Sequence, residues 1–199
     1  MLKLRIPYQE NSALIFNKIA HLPWAVFLDS GQPKSEFGHY DVMVADPFIK
    51  LVTRGEETEV FDVNGSFVSQ EDPFQLLKKV MAPYQMPITE LPFEGGAVGY
   101  FAYDLGRRLE KLPGHAVDQE QLPEMMIGIY DWAVVIDHRK KQAFLVSHCK
   151  NPQTQSQWAS LRALFDAPCH PVDASKFKVT SSLVSNFNPI SYQQANINY

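Results

Sequence analysis

The sequence has few cysteines, no excess of basic residues and no long apolar run. Its two cysteines among 199 residues are too few for a disulfide framework, which favours a reducing compartment. The 18 basic and 22 acidic residues give a net charge of -4, and this disfavours nucleic-acid binding because phosphates are neutralised by a basic surface. No apolar run approaches the roughly 18 residues that a membrane helix needs, and no signal-peptide core is visible. We therefore expect a cytoplasmic protein without nucleic-acid or membrane partners.

Apolar residues are plentiful and are arranged mostly as short strands. Hydrophobic residues make up 45% of the chain, enough for a core that needs neither disulfides nor a structural metal. Strand patterns occupy residues 24–28, 40–45, 58–63, 67–69, 94–104, 127–136 and 142–147. Helical patterns occupy residues 12–22, 73–80, 105–109 and 154–165. The sequence predicts an α+β fold, a largely antiparallel β-sheet or sheets with helices packed on one face.

Two local patterns give sharper predictions. Asn64-Gly65 between two strand patterns predicts a hairpin with a type I′ turn, because both residues tolerate positive φ. Asp72 followed by Pro73 predicts a capped helix start.

A glycine cluster is the most unusual motif. Gly95, Gly96 and Gly99 form G-G-x-x-G, which has neither the spacing of a dinucleotide-binding loop nor the lysine of a P-loop. Glycines in a strand more often allow another backbone or ring to approach closely. The six histidines show no spacing typical of a metal site, so no metal is predicted from them.

Ser30 is the clearest candidate for a polar ligand contact. It follows a predicted strand and stands between Asp29 and Gly31, where hydroxyl and carboxylate could hold an ammonium or amide group. The alternative is a turn serine that bonds its own backbone. The residues alone leave both interpretations open, and they show no nucleophile, base and orienting group at a recognisable spacing.

Four segments resemble a known family. Residues 91–104 (LPFEGGAVGYFAYD) resemble the F-x-G-G-x-x-G-Y/L-x-x-Y-D signature of the anthranilate synthase component I family. Residues 21–31, 44–47 and 122–132 are more similar to the para-aminobenzoate branch of that family, the aminodeoxychorismate synthases. The resemblance implies the N-terminal fold of that family, with Gly95, Gly96, Gly99, Tyr103 and Asp104 as motif residues.

The resemblance also implies a function for a longer protein. Enzymes of this branch use chorismate and Mg²⁺ to make 4-amino-4-deoxychorismate for para-aminobenzoate and folate synthesis, with ammonia from a glutamine amidotransferase subunit. Their catalytic and metal residues lie in a C-terminal chorismate-binding region. By this resemblance, residues 1–185 form the N-terminal region and residues 186–199 begin the chorismate-binding region. The chain alone is then expected to be inactive, with no catalytic or metal residue of its own.

The family's N-terminal region holds a tryptophan pocket in several members. Its Leu-Leu-Glu-Ser segment corresponds to residues 27–30 here, so the resemblance implies that Ser30 and Asp29 meet a tryptophan-like ligand. His39 and Tyr40 stand where the family has an Arg-Tyr/Phe pair, and they would form a further wall. Three other functions compete with this one: a freestanding amino-acid-binding regulatory module, a docking scaffold for the glutaminase subunit, and a fragment of an anthranilate synthase component I.

Overall fold

The molecule is described by a computed structural model, in which residues 1–31, 38–85, 89–108, 110 and 121–169 are placed. The strands are β1 Leu2–Ile6, β2 Val26–Leu28, β3 Tyr40–Val44, β4 Ile49–Arg54, β5 Glu57–Asp62, β6 Gly65–Ser69, β7 Gly96–Phe101, β8 Met125–Tyr130, β9 Trp132–Asp137 and β10 Gln142–Ser147. The helices are α1 Ala13–Phe16, α2 Pro73–Met81 and α3 Pro152–Asp166, with 3-10 turns at Ala82–Tyr84 and Tyr103–Arg108.

The strands form two five-stranded sheets. The first sheet has the order β1-β10-β9-β3-β2, and the second has the order β6-β5-β4-β8-β7. Every strand pair within them is antiparallel. The predicted α+β class with largely antiparallel sheets is therefore confirmed.

Each sheet carries helices on one of its faces. Ile15 of α1 and Leu161 and Phe165 of α3 pack on the first sheet around Trp132. Leu76 of α2 packs on the second sheet. A third apolar cluster joins the sheets, with Val98 and Tyr130 of the second sheet meeting β3 and β9 of the first. No helix in the placed ranges is long and apolar enough to cross a membrane.

The predicted strand 127–136 is wrong as a single element. It is two strands in different sheets, because β8 ends at Tyr130 and β9 begins at Trp132. Asp131 between them is 2% exposed, and its carboxylate accepts hydrogen bonds from Lys150 N (2.7 Å) and Ser147 Oγ (3.4 Å). The chain thus changes sheets at one buried, fully partnered residue.

The predicted hairpin at Asn64-Gly65 is confirmed, but its turn type is wrong. Asp62 pairs with Gly65, so Val63 and Asn64 form the two-residue loop. Neither has positive φ, which a type I′ turn would require, whereas Gly65 has φ 130°. The reason is local: the Asp62 carboxylate accepts a hydrogen bond from Asn64 N at 2.7 Å and holds a different turn.

The helices predicted for residues 73–80 and 154–165 are confirmed as α2 and α3, whereas the segment 105–109 coincides with the 3-10 turn Tyr103–Arg108 as far as it is described. Asp72 caps α2 by accepting from Gln75 N at 2.9 Å. The helix predicted for residues 12–22 is reduced to α1, followed by turns. Ser12 holds the N-cap position without a side-chain cap bond because its hydroxyl faces His138 instead, at 3.2 Å from Nε2. The boundary predicted after residue 185 lies outside the described residues.

Candidate functional site

The four predicted ligand residues lie at one end of the β2–β3 pair. Asp29 and Ser30 directly follow β2, and His39 precedes Tyr40, the first residue of β3. Leu28 pairs with Val42 in antiparallel register, so the end of β2 lies beside the start of β3. Two segments on either side of the loop between β2 and β3 therefore share one end of this strand pair.

Ser30 is held by Asp41, the second residue of β3, rather than by its own turn. Both its backbone N–H and its hydroxyl donate to Oδ1 of Asp41, each at 2.8 Å. Asp29 is exposed, and its carboxylate accepts from Gly31 N at 2.7 Å. Asp29 therefore makes the local turn contact, whereas Ser30 is anchored across the strand pair and remains half-buried.

His39 and Tyr40 form a stacked pair beside this point. Their ring centroids are 3.7 Å apart, and Nε2 of His39 lies 3.0 Å from Oδ1 of Asp137. Burial would raise the pKa of Asp137, but the backbone N–H of Lys140 and the charge and hydrogen bond of His39 outweigh it and lower that pKa. The imidazole is therefore held toward β9.

A buried polar network lies behind Ser30, and its members Asp41, His138, Ser12 and Tyr8 were not predicted. Nε2 of His138 lies 2.8 Å from Oδ2 of Asp41, and its Nδ1 lies 3.1 Å from the Tyr8 hydroxyl. Ser12 bonds to the same carboxylate. Asp41, Ser12 and His138 are 2%, 5% and 9% exposed. Three segments distant in sequence therefore converge on one carboxylate.

The protonation states of this network follow from its contacts. Burial would raise the pKa of Asp41, but hydrogen bonds from Ser12, His138 and Ser30 more than offset it and lower the pKa. Burial, with the charges of Glu10 and Asp41, raises the pKa of Tyr8, so its hydroxyl stays protonated. An ionised Asp41 only accepts, so His138 donates from Nε2 and can accept from Tyr8 at Nδ1.

One sequence signal could have revealed this network. Asp41 is the only charged residue in the apolar strand pattern of residues 40–45, and a charged residue in such a position is rarely buried without partners. The partners themselves come from distant segments, so the signal identifies Asp41 and not His138 or Tyr8.

The glycine motif has a packing role in the second sheet. A Cβ on Gly99 would lie 1.9 Å from the carbonyl oxygen of Met126, so β7 and β8 approach as bare backbone. Gly95 and Gly96 have φ of 131° and 127°, which favour glycine. The close-packed strand predicted for this segment is confirmed as β7.

The remaining motif residues lie at the surface. Tyr103 is 91% exposed, and Asp104 is paired with Arg107 Nε at 2.8 Å. Glu94, just before the glycines, is buried and lies 2.8 Å from Nε2 of His148. This second carboxylate–histidine pair joins the segment before β7 to the residue after β10.

Comparison with known proteins identifies the family. The sequence profile of the family described as chorismate binding enzyme matches residues 25–197, which is most of the chain. The chain belongs to this family. The resemblance inferred from the sequence motifs is thereby confirmed.

Two curated relatives of the chorismate-binding family are aminodeoxychorismate synthase component 1 proteins. The Salmonella typhimurium protein is 36% identical over 194 residues, which cover 95% of this chain and 41% of the relative. The Escherichia coli protein is 41% identical over 143 residues, covering 70% of this chain and 32% of the relative. The chain thus matches between about a third and two-fifths of the length of these relatives.

A solved structure has the same fold. The crystal structure of anthranilate synthase component I from Streptococcus pneumoniae matches with a TM-score of 0.57 at 22% identity, covering 70% of this chain and 33% of that chain. The predicted fold type is therefore confirmed by a structural relative.

Asp29, Ser30, His39 and Tyr40 lie together at one end of the β2–β3 pair. Among the placed residues, no three His, Cys, Asp or Glu side chains are grouped so as to hold a metal ion. A small cavity of about 50 Å³ lies elsewhere, at the start of α3, and is lined by Asp46, Asp131, Asn151 and their neighbours.

Proposed function

We propose that this chain is the N-terminal, non-catalytic part of an aminodeoxychorismate synthase component 1. The observation that carries the proposal is 36% identity to such a protein across 95% of this chain, which covers 41% of the relative. The whole protein would replace the 4-hydroxyl of chorismate by an amino group, giving 4-amino-4-deoxychorismate. Its Mg²⁺ and chorismate residues would lie in the region that begins near residue 186.

The whole protein would work with a second component. The relatives are named component 1, which supports a partner component for this protein too. We propose a glutamine amidotransferase that supplies ammonia, in the cytoplasm, as the resemblance implies. No nucleic acid or membrane is involved in this function.

The reaction is tested on the product of the whole reading frame that contains residues 1–199. With chorismate, Mg²⁺ and ammonium, we expect 4-amino-4-deoxychorismate by mass spectrometry, whereas the 199-residue chain alone converts nothing. Formation of anthranilate would instead place the protein in the anthranilate branch. Conversion of chorismate by residues 1–199 alone, or a reading frame that ends at Tyr199, would overturn the fragment proposal.

The edge of the β2–β3 pair would hold a tryptophan-like amino acid. Ser30 is half-buried and anchored, Asp29 is an exposed carboxylate beside it, and the His39–Tyr40 stack provides a flat aromatic surface. These are the groups that recognise an ammonium and an aromatic side chain. The family resemblance implies that a further wall of this pocket comes from the C-terminal region, so we expect residues 1–199 alone to bind weakly.

A further inference from the structure

We propose that Asp41 is a positioning residue that fixes the Ser30 hydroxyl as a hydrogen-bond acceptor, so that this site selects ligands carrying a protonated amine. The inference rests on the proposed amino-acid site at Ser30. It adds to that site a residue that would not touch the ligand, together with a chemical preference for one end of the ligand.

The direction of the Ser30 hydrogen bond follows from the chemistry of its partner. A serine hydroxyl has one hydrogen and two lone pairs. Its oxygen lies 2.8 Å from Oδ1 of Asp41, and a carboxylate that is ionised accepts and cannot donate. The single hydrogen of Ser30 therefore points toward Asp41, and the lone pairs of Oγ are left for a donor on the ligand.

The position of the hydroxyl is fixed from two sides. The backbone N–H of Ser30 donates to the same oxygen of Asp41, so both the backbone and the first side-chain torsion of Ser30 are restrained. The other carboxylate oxygen is bonded to His138 at 2.8 Å, and both of these residues are buried. The acceptor is therefore prearranged before any ligand binds, which lowers the entropy cost of binding.

The charges adjacent to Ser30 favour a cation. Asp41 is bonded to it, and the exposed carboxylate of Asp29 precedes it in the chain. A ligand ammonium would donate to Ser30 Oγ in a negative field, whereas a ligand carboxylate would be repelled and would meet no hydrogen from this hydroxyl.

The first test uses the unaltered 199-residue chain and three probes, tryptophan, tryptamine and indole-3-propionate, titrated by ligand-observed NMR. Tryptamine lacks the carboxylate and indole-3-propionate lacks the amine. We expect indole-3-propionate to bind at least about ten-fold more weakly than tryptophan, because it loses a charge-assisted hydrogen bond. Equal affinity of tryptophan and indole-3-propionate would overturn the preference for an amine.

The second test asks whether the preference depends on Asp41. In Asp41→Asn we expect the affinity ratio of tryptophan to indole-3-propionate to fall toward one. In the Ser30→Ala variant, adding Asp41→Asn should leave this affinity ratio unchanged. Glu94→Gln is the matched control, because Glu94 forms an equally short buried pair with His148 outside this site. A merely structural role for Asp41 would weaken both probes alike and leave the ratio unchanged.

The outcomes separate this inference from the proposed function. If the unaltered chain binds tryptophan but Asp41→Asn keeps the ratio, the positioning role fails and the amino-acid site stands. If tryptophan shows no saturable binding, both the positioning role of Asp41 and the proposed amino-acid site fail. Circular dichroism checks the folding of each variant. If Asp41→Asn does not fold, the positioning role is tested instead by the carboxyl ¹³C resonance of Asp41 in the unaltered chain. It should shift with tryptophan and not with indole-3-propionate, and the same shift with both would overturn the role.

Discussion

Two buried carboxylate–histidine pairs in this chain have the same separation but different neighbours. Asp41 and His138 are 2.8 Å apart within the first sheet, whereas Glu94 and His148, also 2.8 Å apart, connect the segment before β7 with the end of β10. The difference is a third partner, because Asp41 also holds the half-buried Ser30. One kind of pair can thus either join two sheets or orient a serine at the end of a strand pair.

The largest effect on stability should come from breaking the pair that joins the sheets. His148→Leu leaves the carboxylate of Glu94 buried without its partner, so we expect the free energy of unfolding to fall by about 3 kcal/mol. Urea unfolding followed by circular dichroism measures it. Adding Glu94→Gln should restore part of the loss, and a loss under about 1 kcal/mol in the single variant would contradict the joining role.

A smaller, pH-dependent effect should distinguish the Asp41 pair. The folded-state pKa of Asp41 lies below its ordinary value of about 3.9, so its stabilising contribution is present above about pH 4 and is lost as pH falls through the folded pKa. We expect Asp41→Asn to be about 2 kcal/mol less stable than the unaltered chain at pH 7, and the difference to shrink as the pH falls below about 4.

The comparison is made by urea unfolding at each pH. The pKa of Asp137 is also lowered, so part of the acid sensitivity should survive in Asp41→Asn and disappear only when Asp137→Asn is added. A stability difference that stays constant from pH 7 to pH 3 would show that Asp41 contributes no charge-dependent stability.

The smallest effect should come from a neutral contact near the junction of the sheets. The hydroxyl of Tyr130 donates to the carbonyl oxygen of Trp24 at 2.8 Å, and Tyr130→Phe should cost about 1 kcal/mol because the ring still fills its place. Burial raises the pKa of Tyr130 to about 12, so its phenolate absorbance should be missing up to about pH 11. Tyr100→Phe, at a ring that is 40% exposed, is the control and should change stability little.

The sequence could predict those elements whose signals are local. Asp72 and Pro73 mark the start of α2, and the antiparallel β2–β3 pair follows from two apolar runs around a turn-rich loop. The change of sheet at Asp131 could not be predicted, because apolar residues continue on both sides of it in the same pattern. Only the distant partners Ser147 and Lys150 show that Asp131 is a junction.

The candidate site was accessible from the sequence only through its family resemblance. Ser30 taken alone is as consistent with a turn as with a ligand contact. Its actual partner, Asp41, is held by Ser12 and by His138, about 100 residues away in sequence. No short-range pattern encodes such a contact, so the residues that orient the site emerge only when the sheet is assembled.

The pairing of β1 with β10 has a consequence for synthesis on the ribosome. β1 forms the edge of the first sheet, but its partner strand is made roughly 140 residues later, so at common elongation rates β1 waits on the order of 10 s before it can pair. During that time its exposed backbone groups are open to wrong partners. Lys3 and Arg5 alternate with the apolar residues of this strand, and their charges would keep the nascent segment from associating with other chains.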